Sequence, residues 1–519
     1  MIIFSYISGG FEGDMVKVEV DLRRGIPGMD IVGLPDSAVR ESRERVRAAL
    51  RNSGFHVPRE RILINLAPAG VKKVGAAFDL PIAAALLLAD GQLYEIPSKS
   101  LLLMGELELS GAIRPVHGVL AAVVSAMKGD VDFCIVPDEN REEAQTVGGN
   151  RIISVNHLSE LKQIFSLLLH GKQEVLLDER TRKPKGKSRV FSTLSDFADM
   201  SGQEHLKRAC EIATAGRHHL LIFGPPGVGK SMAALRCAGI LPDLRKEESV
   251  ELTRIYSIGG QLPGDCGLIR RPPLRSPHHT ASREGVIGGG PRVLPGEISY
   301  AHWGILFLDE VMEYSTSLLQ SLREPLEKGT VEIARSGRHF WYPARFQLIM
   351  AANPCPCGKL GQPEAACMCS PLEIHRYWKK LGAALLDRID LRIPVEIQGP
   401  SLTGGIGPGE TCYTSAAMAE RVKAAIEIQM DRFGLISKRN AEMNTSDLRQ
   451  YCGLNKRCAG ELRREVKNLS LSTRAEYSVL RISRTVADLE GSTNISLDHL
   501  LEAFQYRRFA DGDYFWNAA

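Results

Sequence analysis

Residues 224–231 read Gly224-Pro225-Pro226-Gly227-Val228-Gly229-Lys230-Ser231. The apolar run His219–Phe223 before this stretch is typical of a buried strand, and Ser231–Ala238 after it has the composition of a helix. In a strand, glycine-rich loop and helix of this order, the loop N–H groups and the helix N-terminus face phosphate groups. The pattern predicts a nucleoside triphosphate site in which Lys230 reaches the β- and γ-phosphates and the Ser231 hydroxyl binds Mg²⁺.

A second motif, Gly304–Glu310 (GILFLDE), follows later in the chain. Its apolar residues lead into Asp309 and Glu310, as in a core strand that delivers carboxylates to the edge of a sheet. Asp309 is predicted to complete the Mg²⁺ shell, and Glu310 to polarise the water that attacks the γ-phosphate. The two motifs together predict a site that uses ATP and Mg²⁺.

The composition is that of an ordinary globular protein. The chain has 519 residues, a length that suggests roughly three to four domains. Hydrophobic residues make up 44% and charged residues 24%. Because the net charge is only +4, any nucleic-acid binding would have to come from local clusters of basic side chains.

The sequence gives no sign of a membrane segment. Residues Met1–Ile7 lack the basic region of a secretory signal, and the longest apolar run, Leu80–Ala89, is too short to span a bilayer. We therefore expect a cytoplasmic protein with no membrane contact, whose 11 cysteines are mostly reduced.

Patterning divides the chain into four parts and predicts a multidomain α/β fold. Residues 1–170 alternate strand-like and helix-like segments, which indicates an α/β or α+β domain. Residues 171–194 are rich in lysine and arginine and favour an exposed basic linker over a phosphate-binding segment. We expect a doubly wound ATPase core over 195–398 and, after a glycine-rich stretch at 399–409, a helical part over 412–508.

Three further elements are predicted inside the core. Ser315–Gly329 has a leucine stripe and a serine cap, as in a helix, and Thr330–Tyr342 is typical of a β-hairpin that turns at Ser336 and Gly337. Arg345–Asn353 indicates another buried strand. Its terminal amide can orient a water molecule against the γ-phosphate, although Asn353 could instead cap the turn before the next proline.

Arg388 lies in Leu385–Leu391 (LLDRIDL), at the end of a helix-like segment. A guanidinium in such a position can reach the γ-phosphate of a neighbouring subunit. The alternative is an ion pair with one of the flanking carboxylates, Asp387 or Asp390.

Four cysteines cluster in two closely spaced pairs, Cys355 with Cys357 and Cys367 with Cys369. Four thiolates can supply a closed tetrahedral site, which favours structural Zn²⁺ without a catalytic role. The pairs are tighter than the usual CxxC spacing, and disulfides are the alternative, which a reducing compartment disfavours.

The chain as a whole resembles the ComM/YifB family of magnesium-chelatase-like AAA+ ATPases, a family of DNA branch-migration motors. The resemblance rests on motifs spread over nearly the whole sequence: Ile31–Leu50, Asn65–Ala69, Phe78–Ala83, Arg275–Thr280, Ile287–Gly290, Leu294–Ser299, Asn353–Gly358, Leu385–Leu391 and Arg481–Leu489. It implies an AAA+ core with a helical C-terminal lid and a hexameric ring.

The same resemblance implies roles for single residues. Asn353 would be the sensor-1 residue and Arg388 the arginine finger. Arg474, in Leu471–Arg474, is the sensor-2 candidate that would reach the phosphates from the lid, with Arg481 as a competing position.

The N-terminal part also resembles the proteolytic domain of Lon-type proteases, through Ala67–Ala77 and Leu109–Leu120. Alanine stands at Ala77, where that family needs its serine, and no lysine stands at Leu120 or Ala122. A site without a hydroxyl or a base has no activated nucleophile, so we expect an inactive Lon-like domain that serves assembly or substrate binding.

Two kinds of motor fit these observations. In the first, which the resemblance favours, a ring moves single-stranded or branched DNA, and Arg335 and Arg338 at the hairpin tip contact phosphates. Arg270, Arg271 and Arg275 in the preceding insertion could do the same, or all five arginines could satisfy a subunit interface. In the second, the protein drives metal insertion as a magnesium-chelatase motor. An ATP-gated scaffold for a protein partner is a further alternative.

Overall fold

The computed structural model describes residues 1–178, 196–262, 267–335, 337–362, 365–396, 413–434 and 437–507. They form two large β-sheets that are covered by helices, three small two-stranded sheets, and a C-terminal group of helices. Most of the predicted basic linker and the glycine-rich stretch at 399–409 lie outside the described residues.

The first sheet belongs to the N-terminal part, where strands and helices alternate as the sequence predicts. Its strands and helices are β1 Ile2–Gly9, β2 Glu12–Arg23, β3 Gly28–Val32, α1 Ser37–Asn52, β4 Arg61–Ala67, α2 Asp79–Ala89, β5 Ser100–Leu103, β6 Glu106–Leu107, β7 Ile113–Arg114, α3 Val119–Lys128, β8 Phe133–Pro137, α4 Arg141–Gly148, β9 Ile152–Val155, α5 Leu161–Leu169 and α6 Gln173–Asp178. The sheet is mixed, with seven strands in the order β3-β4-β2-β1-β5-β8-β9.

Helix α1 shows how a cap and an apolar face in the sequence specify a helix. The Asp36 carboxylate accepts a hydrogen bond from the Val39 N–H at 2.8 Å and so caps the helix. Val39, Val46 and Leu50 then fall on one face and are fully buried against the sheet.

The predicted linker begins later than expected. Residues Gln173–Asp178, placed in the linker by their composition, form helix α6, and Leu176 is buried in the core of the first sheet. Leu176 anchors this short helix to the N-terminal core, and the lysine-rich composition of the following residues concealed it.

The second sheet carries the two predicted chemical motifs. The elements of this region are α7 Glu204–Gly216, β10 Leu220–Phe223, α8 Lys230–Cys237, α9 Lys246–Ile258, β11 Leu274–Arg275, α10 Arg283–Ile287, β12 Gly288–Gly289, β13 Leu294–Pro295, α11 Glu297–Tyr300, β14 Ile305–Leu308, α12 Thr316–Ser321, α13 Arg323–Lys328, β15 Thr330–Arg335, β16 Arg338–Pro343, β17 Gln347–Ala352, α14 Pro371–Lys379, α15 Ala383–Leu386 and β18 Leu391–Pro394. Five parallel strands lie in the order β11-β14-β17-β10-β18.

Both faces of this parallel sheet are covered, as the predicted doubly wound fold requires. In β10, Leu220 and Ile222 pack into the core under α7, while Leu221 and Phe223 pack into the core on the opposite face. The strands therefore read as continuous apolar runs rather than as alternating patterns. The carboxyl ends of β10, β14 and β17 meet at one edge, where ligands bind in open α/β sheets.

One predicted helix is interrupted. Ser315 caps it as expected, accepting from the Leu318 N–H at 3.3 Å, but the segment 315–329 forms two helices that meet at Leu322. Pro325 has no N–H with which to continue the ladder to Ser321, which accounts for the break.

The predicted hairpin is confirmed, and it packs against the first domain. Arg335 pairs with Arg338 across the turn of β15 and β16. The Phe11 N–H donates to the Trp341 carbonyl at 2.8 Å, and the two aromatic rings lie 5.1 Å apart. This contact joins the loop between β1 and β2 to the part of the chain that contains the second sheet.

The C-terminal part is helical, as predicted: α16 Ser415–Phe433, α17 Thr445–Tyr451, α18 Lys456–Asn468, α19 Thr473–Leu489 and α20 Leu497–Gln505. Met418, Val479 and Leu500 from these helices share one buried core with the underside of the second sheet. At the edge strand β18, the Arg392 N–H donates to the Tyr506 carbonyl at 3.1 Å, so the chain after α20 covers that edge.

Candidate nucleotide-binding site

The loop between β10 and α8 has the geometry of a phosphate-binding loop. The Gly224 N–H donates to the Ala352 carbonyl at 3.2 Å, which fixes the loop to the end of the neighbouring strand β17. A β-carbon on Gly224 would lie 2.1 Å from the Val395 carbonyl oxygen, so only glycine fits there. Lys230 is the first residue of α8, and the loop N–H groups precede it directly.

Lys230 lies at the centre of the site. Its Nζ donates to the carbonyl oxygens of Gly224 at 2.6 Å and Pro225 at 2.9 Å, and to Asn353 Oδ1 at 3.1 Å. Burial lowers the pKa of Lys230 to about 8, although the nearby carboxylates of Asp309 and Glu310 act in the opposite direction. A desolvated ammonium with three replaceable acceptors is suited to bind phosphate oxygens.

The Lys230 contact also places Asn353. The asparagine follows the last residue of β17, and β17 lies between β10 and β14 in the sheet. Its amide oxygen therefore reaches the lysine of the phosphate loop rather than serving only the turn before Pro354.

The second motif supplies oxygen ligands beside the loop. The Ser231 hydroxyl donates to Asp309 Oδ2 at 2.7 Å, and Asp309 Oδ1 accepts from the Glu310 N–H at 3.0 Å. A hydroxyl and a carboxylate at this distance are the hard oxygen donors that Mg²⁺ prefers, so the residues fit the ion. Glu310 is exposed and has a φ of 46°, an uncommon conformation for a residue with a side chain.

Arg388 and Arg474 meet at a different carboxylate. Arg388 Nη2 donates to Glu327 Oε2 at 2.6 Å, and Arg474 Nη2 lies 3.9 Å from Glu327 Oε1. Of the two flanking carboxylates, Asp390 is engaged elsewhere, with Ser478 and His218. Sequence reasoning missed Glu327 because no local motif marks a carboxylate that is 61 positions from its partner.

Arg481, the alternative to Arg474, is engaged inside the C-terminal helices. Its guanidinium donates to the Met443 carbonyl and is half-buried. Arg474 is in the first turn of α19 and is exposed. The exposed arginine is therefore the one that shares a carboxylate with Arg388.

The four cysteines of the loop after Asn353 come together as predicted. Cys355 Sγ lies 3.4 Å from Cys357 Sγ and 3.6 Å from Cys367 Sγ, and all four sulfurs, including that of Cys369, lie within 4.8 Å of one another. They are free thiols rather than disulfides. The Lys359 N–H lowers the pKa of Cys357 to about 6, which favours its thiolate, whereas burial raises the pKa of Cys367 to about 12.

The arginines that are candidates for DNA contact differ in their exposure and in their bonding partners. Arg338 Nη2 pairs with Asp14 Oδ2 of the first domain at 3.0 Å, and Arg335 donates to the Gly290 carbonyl, while both side chains stay partly exposed. Arg275 forms a two-bond pair with Glu297, at 2.6 and 2.7 Å, and is half-buried. Arg270 and Arg271 are exposed.

The N-terminal positions that correspond to protease chemistry carry no reactive side chain. Ala77 lies in a single 3-10 turn, and Leu120 and Ala122 are fully buried in α3. These three side chains supply neither a nucleophile nor a base.

Family models of magnesium chelatase match three parts of the chain. The model described as "Magnesium chelatase, subunit ChlI" matches residues 196–401, "Subunit ChlI of Mg-chelatase" matches 18–140, and "Magnesium chelatase, subunit ChlI C-terminal" matches 413–507. With the parallel sheet and the phosphate loop, these matches define the class as magnesium-chelatase-like AAA+ proteins, which indicates an ATPase.

Relatives match along the whole chain. Competence protein ComM of Haemophilus influenzae is 39% identical over 98% of this chain and 97% of its own length. The uncharacterized protein YifB of Escherichia coli is 39% identical over 98% and 96%, respectively. The magnesium-chelatase 38 kDa subunit of Rhodobacter capsulatus is 28% identical over 30% of this chain and half of its own. The chain belongs to the ComM/YifB family of magnesium-chelatase-like proteins.

No helix in the described part of the chain is long and apolar enough to cross a membrane.

Proposed function

We propose that this chain is the subunit of a hexameric ring that hydrolyses ATP and uses the energy to move on single-stranded or branched DNA. The observation that carries the ATPase part is the position of Lys230, bonded to the phosphate loop and to Asn353 at once. The pairing of β10 with β17 in the sheet brings these two residues together.

The residues have distinct tasks in this reaction. Lys230 exchanges its bonds to the carbonyl oxygens of Gly224 and Pro225 for bonds to phosphate oxygens. Ser231 and Asp309 hold Mg²⁺, which supplies positive charge against the phosphates when bound. Glu310 polarises the attacking water, and Asn353 orients it.

In this proposal Arg388 completes the site of a neighbouring subunit as its arginine finger, and Arg474 reaches the phosphates from the helical lid. Both arginines share Glu327, while Lys230, Ser231, Asp309 and Asn353 contact the phosphate loop or one another. Because positive charge at the γ-phosphate accelerates its transfer, an arginine that lies outside the local cluster supports catalysis across a subunit boundary.

DNA is the substrate that the surface and the family support best. Arg270, Arg271, Arg335 and Arg338 all have exposed side chains in the ATPase region. Contacts of this kind to phosphates do not depend on base sequence. A chelatase motor is the second candidate, supported by the similarity to the magnesium-chelatase 38 kDa subunit. That similarity covers only 30% of this chain, which favours the first candidate.

One ATPase measurement separates these candidates. Under the DNA proposal, single-stranded or branched DNA raises the rate of ATP hydrolysis by the purified protein at low salt, and Lys230→Ala is inactive with and without DNA. If DNA neither binds nor raises the rate, the DNA part of the proposal is wrong while the nucleotide site stands.

We also propose that the four cysteines hold a structural Zn²⁺ ion. In a tetrahedral site with Zn–S bonds of about 2.3 Å, the sulfurs are about 3.8 Å apart. The observed separations of 3.4 and 3.6 Å are close to this value. Purified protein should therefore contain about one zinc ion per chain by elemental analysis, and a variant with all four cysteines changed to serine should contain none.

A further inference from the structure

The four-cysteine loop touches the nucleotide site at two points. Its first cysteine, Cys355, is fully buried and follows Asn353 with only Pro354 between them. The carbonyl of Pro354 accepts a hydrogen bond from Trp378 Nε1 at 3.1 Å, and the Trp378 ring lies edge-on to Phe223, the last residue of β10, with ring centroids 5.6 Å apart. The chain between the asparagine and the cysteine is thereby held to the strand that precedes the phosphate loop.

The second point of contact is the phosphate loop itself. Gly358 is buried, and a β-carbon added to it would lie 3.3 Å from Pro226 Cδ and 3.6 Å from Pro226 Cγ. The backbone of the cysteine loop therefore packs directly on the phosphate loop. Gly361, three positions later, has a similar backbone φ (81° against 73°) but is exposed, and a β-carbon there meets nothing within 4 Å.

The loop has little else to hold its shape. Its described residues between Pro356 and Cys369 contain neither a helix nor a strand, and Cys357 and Met368 are exposed. Within this stretch the backbone hydrogen bonds are single turns, such as Gly358 N–H to the Cys355 carbonyl at 3.0 Å. A loop without an apolar core keeps one shape only if it is cross-linked, and a metal bound by four sulfurs is such a cross-link.

We propose that the metal of the four-cysteine site is a positioning device for ATP binding: it presses Gly358 onto Pro226 and fixes Asn353 beside Lys230. This inference rests on the nucleotide and zinc sites proposed above. It assigns to the cysteines an effect on the affinity for ATP, although none of them touches the nucleotide. Release of zinc frees the loop from Pro226, and the phosphate loop loses part of its preorganised shape.

The first test removes the metal from the intact protein. Zinc is stripped with a chelator, the chelator is dialysed away, Mg²⁺ is restored, and the Kd of a fluorescent ATP analogue is measured by anisotropy. We expect the analogue to bind about tenfold more weakly without zinc and to regain its affinity when zinc is added back. Unchanged affinity in the zinc-free protein overturns the proposal.

The second test keeps all four cysteines and uses two matched glycine variants. Gly358→Leu places a side chain against Pro226, whereas Gly361→Leu imposes a similar backbone strain on the same loop without that contact. Both variants should retain one zinc ion per chain, and only Gly358→Leu should bind the analogue more weakly. Equal affinities of the two variants contradict the proposed contact. If Gly358→Leu loses its zinc, the affinity of the zinc-free wild-type protein for the analogue decides whether the metal affects ATP binding.

Lys230→Ala distinguishes failure of this inference from failure of the nucleotide site. If wild-type protein binds the analogue no better than Lys230→Ala, the nucleotide site itself is wrong. If wild-type protein binds and Lys230→Ala does not, while zinc and Gly358 have no effect, only the coupling is wrong.

Discussion

The ammonium of Lys230 titrates close to neutral pH. Its pKa is lowered to about 8 by burial, and phosphate groups of a bound nucleotide would raise it again. Because the protonated form binds phosphate, the affinity for ATP is highest at pH values below 8 and falls as the pH rises through 8. The fall ends at the higher pKa that Lys230 has in the complex with ATP.

This titration predicts proton uptake on binding. At pH 8.5, ATP binding to the wild-type protein should take up a fraction of a proton from the buffer, because Lys230 becomes protonated in the complex. Calorimetry in two buffers of different ionisation enthalpy measures it. Lys230→Arg, whose guanidinium stays charged, should lack this uptake. Identical uptake by the two proteins would assign the proton to another group.

Glu327 is a second residue with a measurable role. It is the common partner of Arg388 and Arg474. Arg388 also donates from Nη1 to the Ala384 carbonyl, so its guanidinium is held between this backbone oxygen and the Glu327 carboxylate. Glu327→Ala should lower kcat about tenfold and leave the affinity for ATP within about twofold, because the arginines act on hydrolysis.

Helix α13 offers a matched control for Glu327. Glu324 lies one turn earlier on the same helix and pairs with Lys328. Glu324→Ala should leave kcat unchanged, and Glu327→Gln should be intermediate, since it keeps a hydrogen-bond acceptor without the charge. A fall in kcat of the same size in both alanine variants would indicate a general loss of helix α13.

At the residue scale, the sequence was informative where a local motif fixes geometry. The phosphate loop, Asp309 and the end of β17 follow from apolar runs that stop at polar residues, and parallel strands bring such ends together. The partners of Arg388 and Arg338 could not be predicted, because Glu327 and Asp14 are 61 and 324 positions away. No periodicity encodes contacts of that range.

At the scale of elements, hairpin β15–β16 has two candidate roles: contact with DNA and packing on the first domain. Its exposed arginines are candidates for DNA contact, yet Arg338 is paired with Asp14 and Trp341 packs on Phe11. An exposed pair of this type contributes little stability, so phosphate groups can displace Asp14 at small cost.

The hairpin arginines can be tested through salt dependence. If Arg335 and Arg338 contact DNA phosphates, the double variant Arg335→Ala, Arg338→Ala should bind DNA more weakly. Its plot of log K against log salt should be less steep by about two. Arg61→Ala, Arg114→Ala, which removes two paired surface arginines of the first domain, is the control. An unchanged slope would assign the hairpin arginines to the contact between domains.

Element boundaries show what local patterns miss. The stripe of Leu318, Leu319 and Leu322 correctly predicted a buried helical face, but the break at Leu322 depends on the missing N–H of Pro325. Helix α6 was missed because the basic residues that follow it outweighed the anchoring Leu176 in the sequence pattern.

At the scale of the whole molecule, an active site shared between subunits predicts complementation. Lys230→Ala and Arg388→Ala proteins should each be inactive alone. Mixed in equal amounts, they should recover ATPase activity, because an Arg388→Ala subunit still binds nucleotide and a Lys230→Ala neighbour still supplies its arginine. A competent interface needs an Arg388→Ala subunit on the side that binds nucleotide and a Lys230→Ala subunit on the side that supplies the arginine. Each condition is met in about half of the cases, so about a quarter of the interfaces in randomly mixed rings are competent.

Dilution provides the control for this mixing experiment. The specific ATPase activity of wild-type protein should fall as it is diluted below the dissociation constant of the ring, with ATP kept saturating. A rate per chain that does not depend on concentration, together with no recovery on mixing, would place the whole site within one subunit.

The closing of the sheet edge at strand β18 has a consequence for folding during synthesis. The Arg392 N–H is bonded to the carbonyl of Tyr506, and Leu500 fills the core beneath the sheet. A chain emerging from the ribosome therefore contains both chemical motifs of the second sheet well before it contains the residues that close the sheet edge. Until residue 507 leaves the exit tunnel, β18 has an open edge that can pair with another strand.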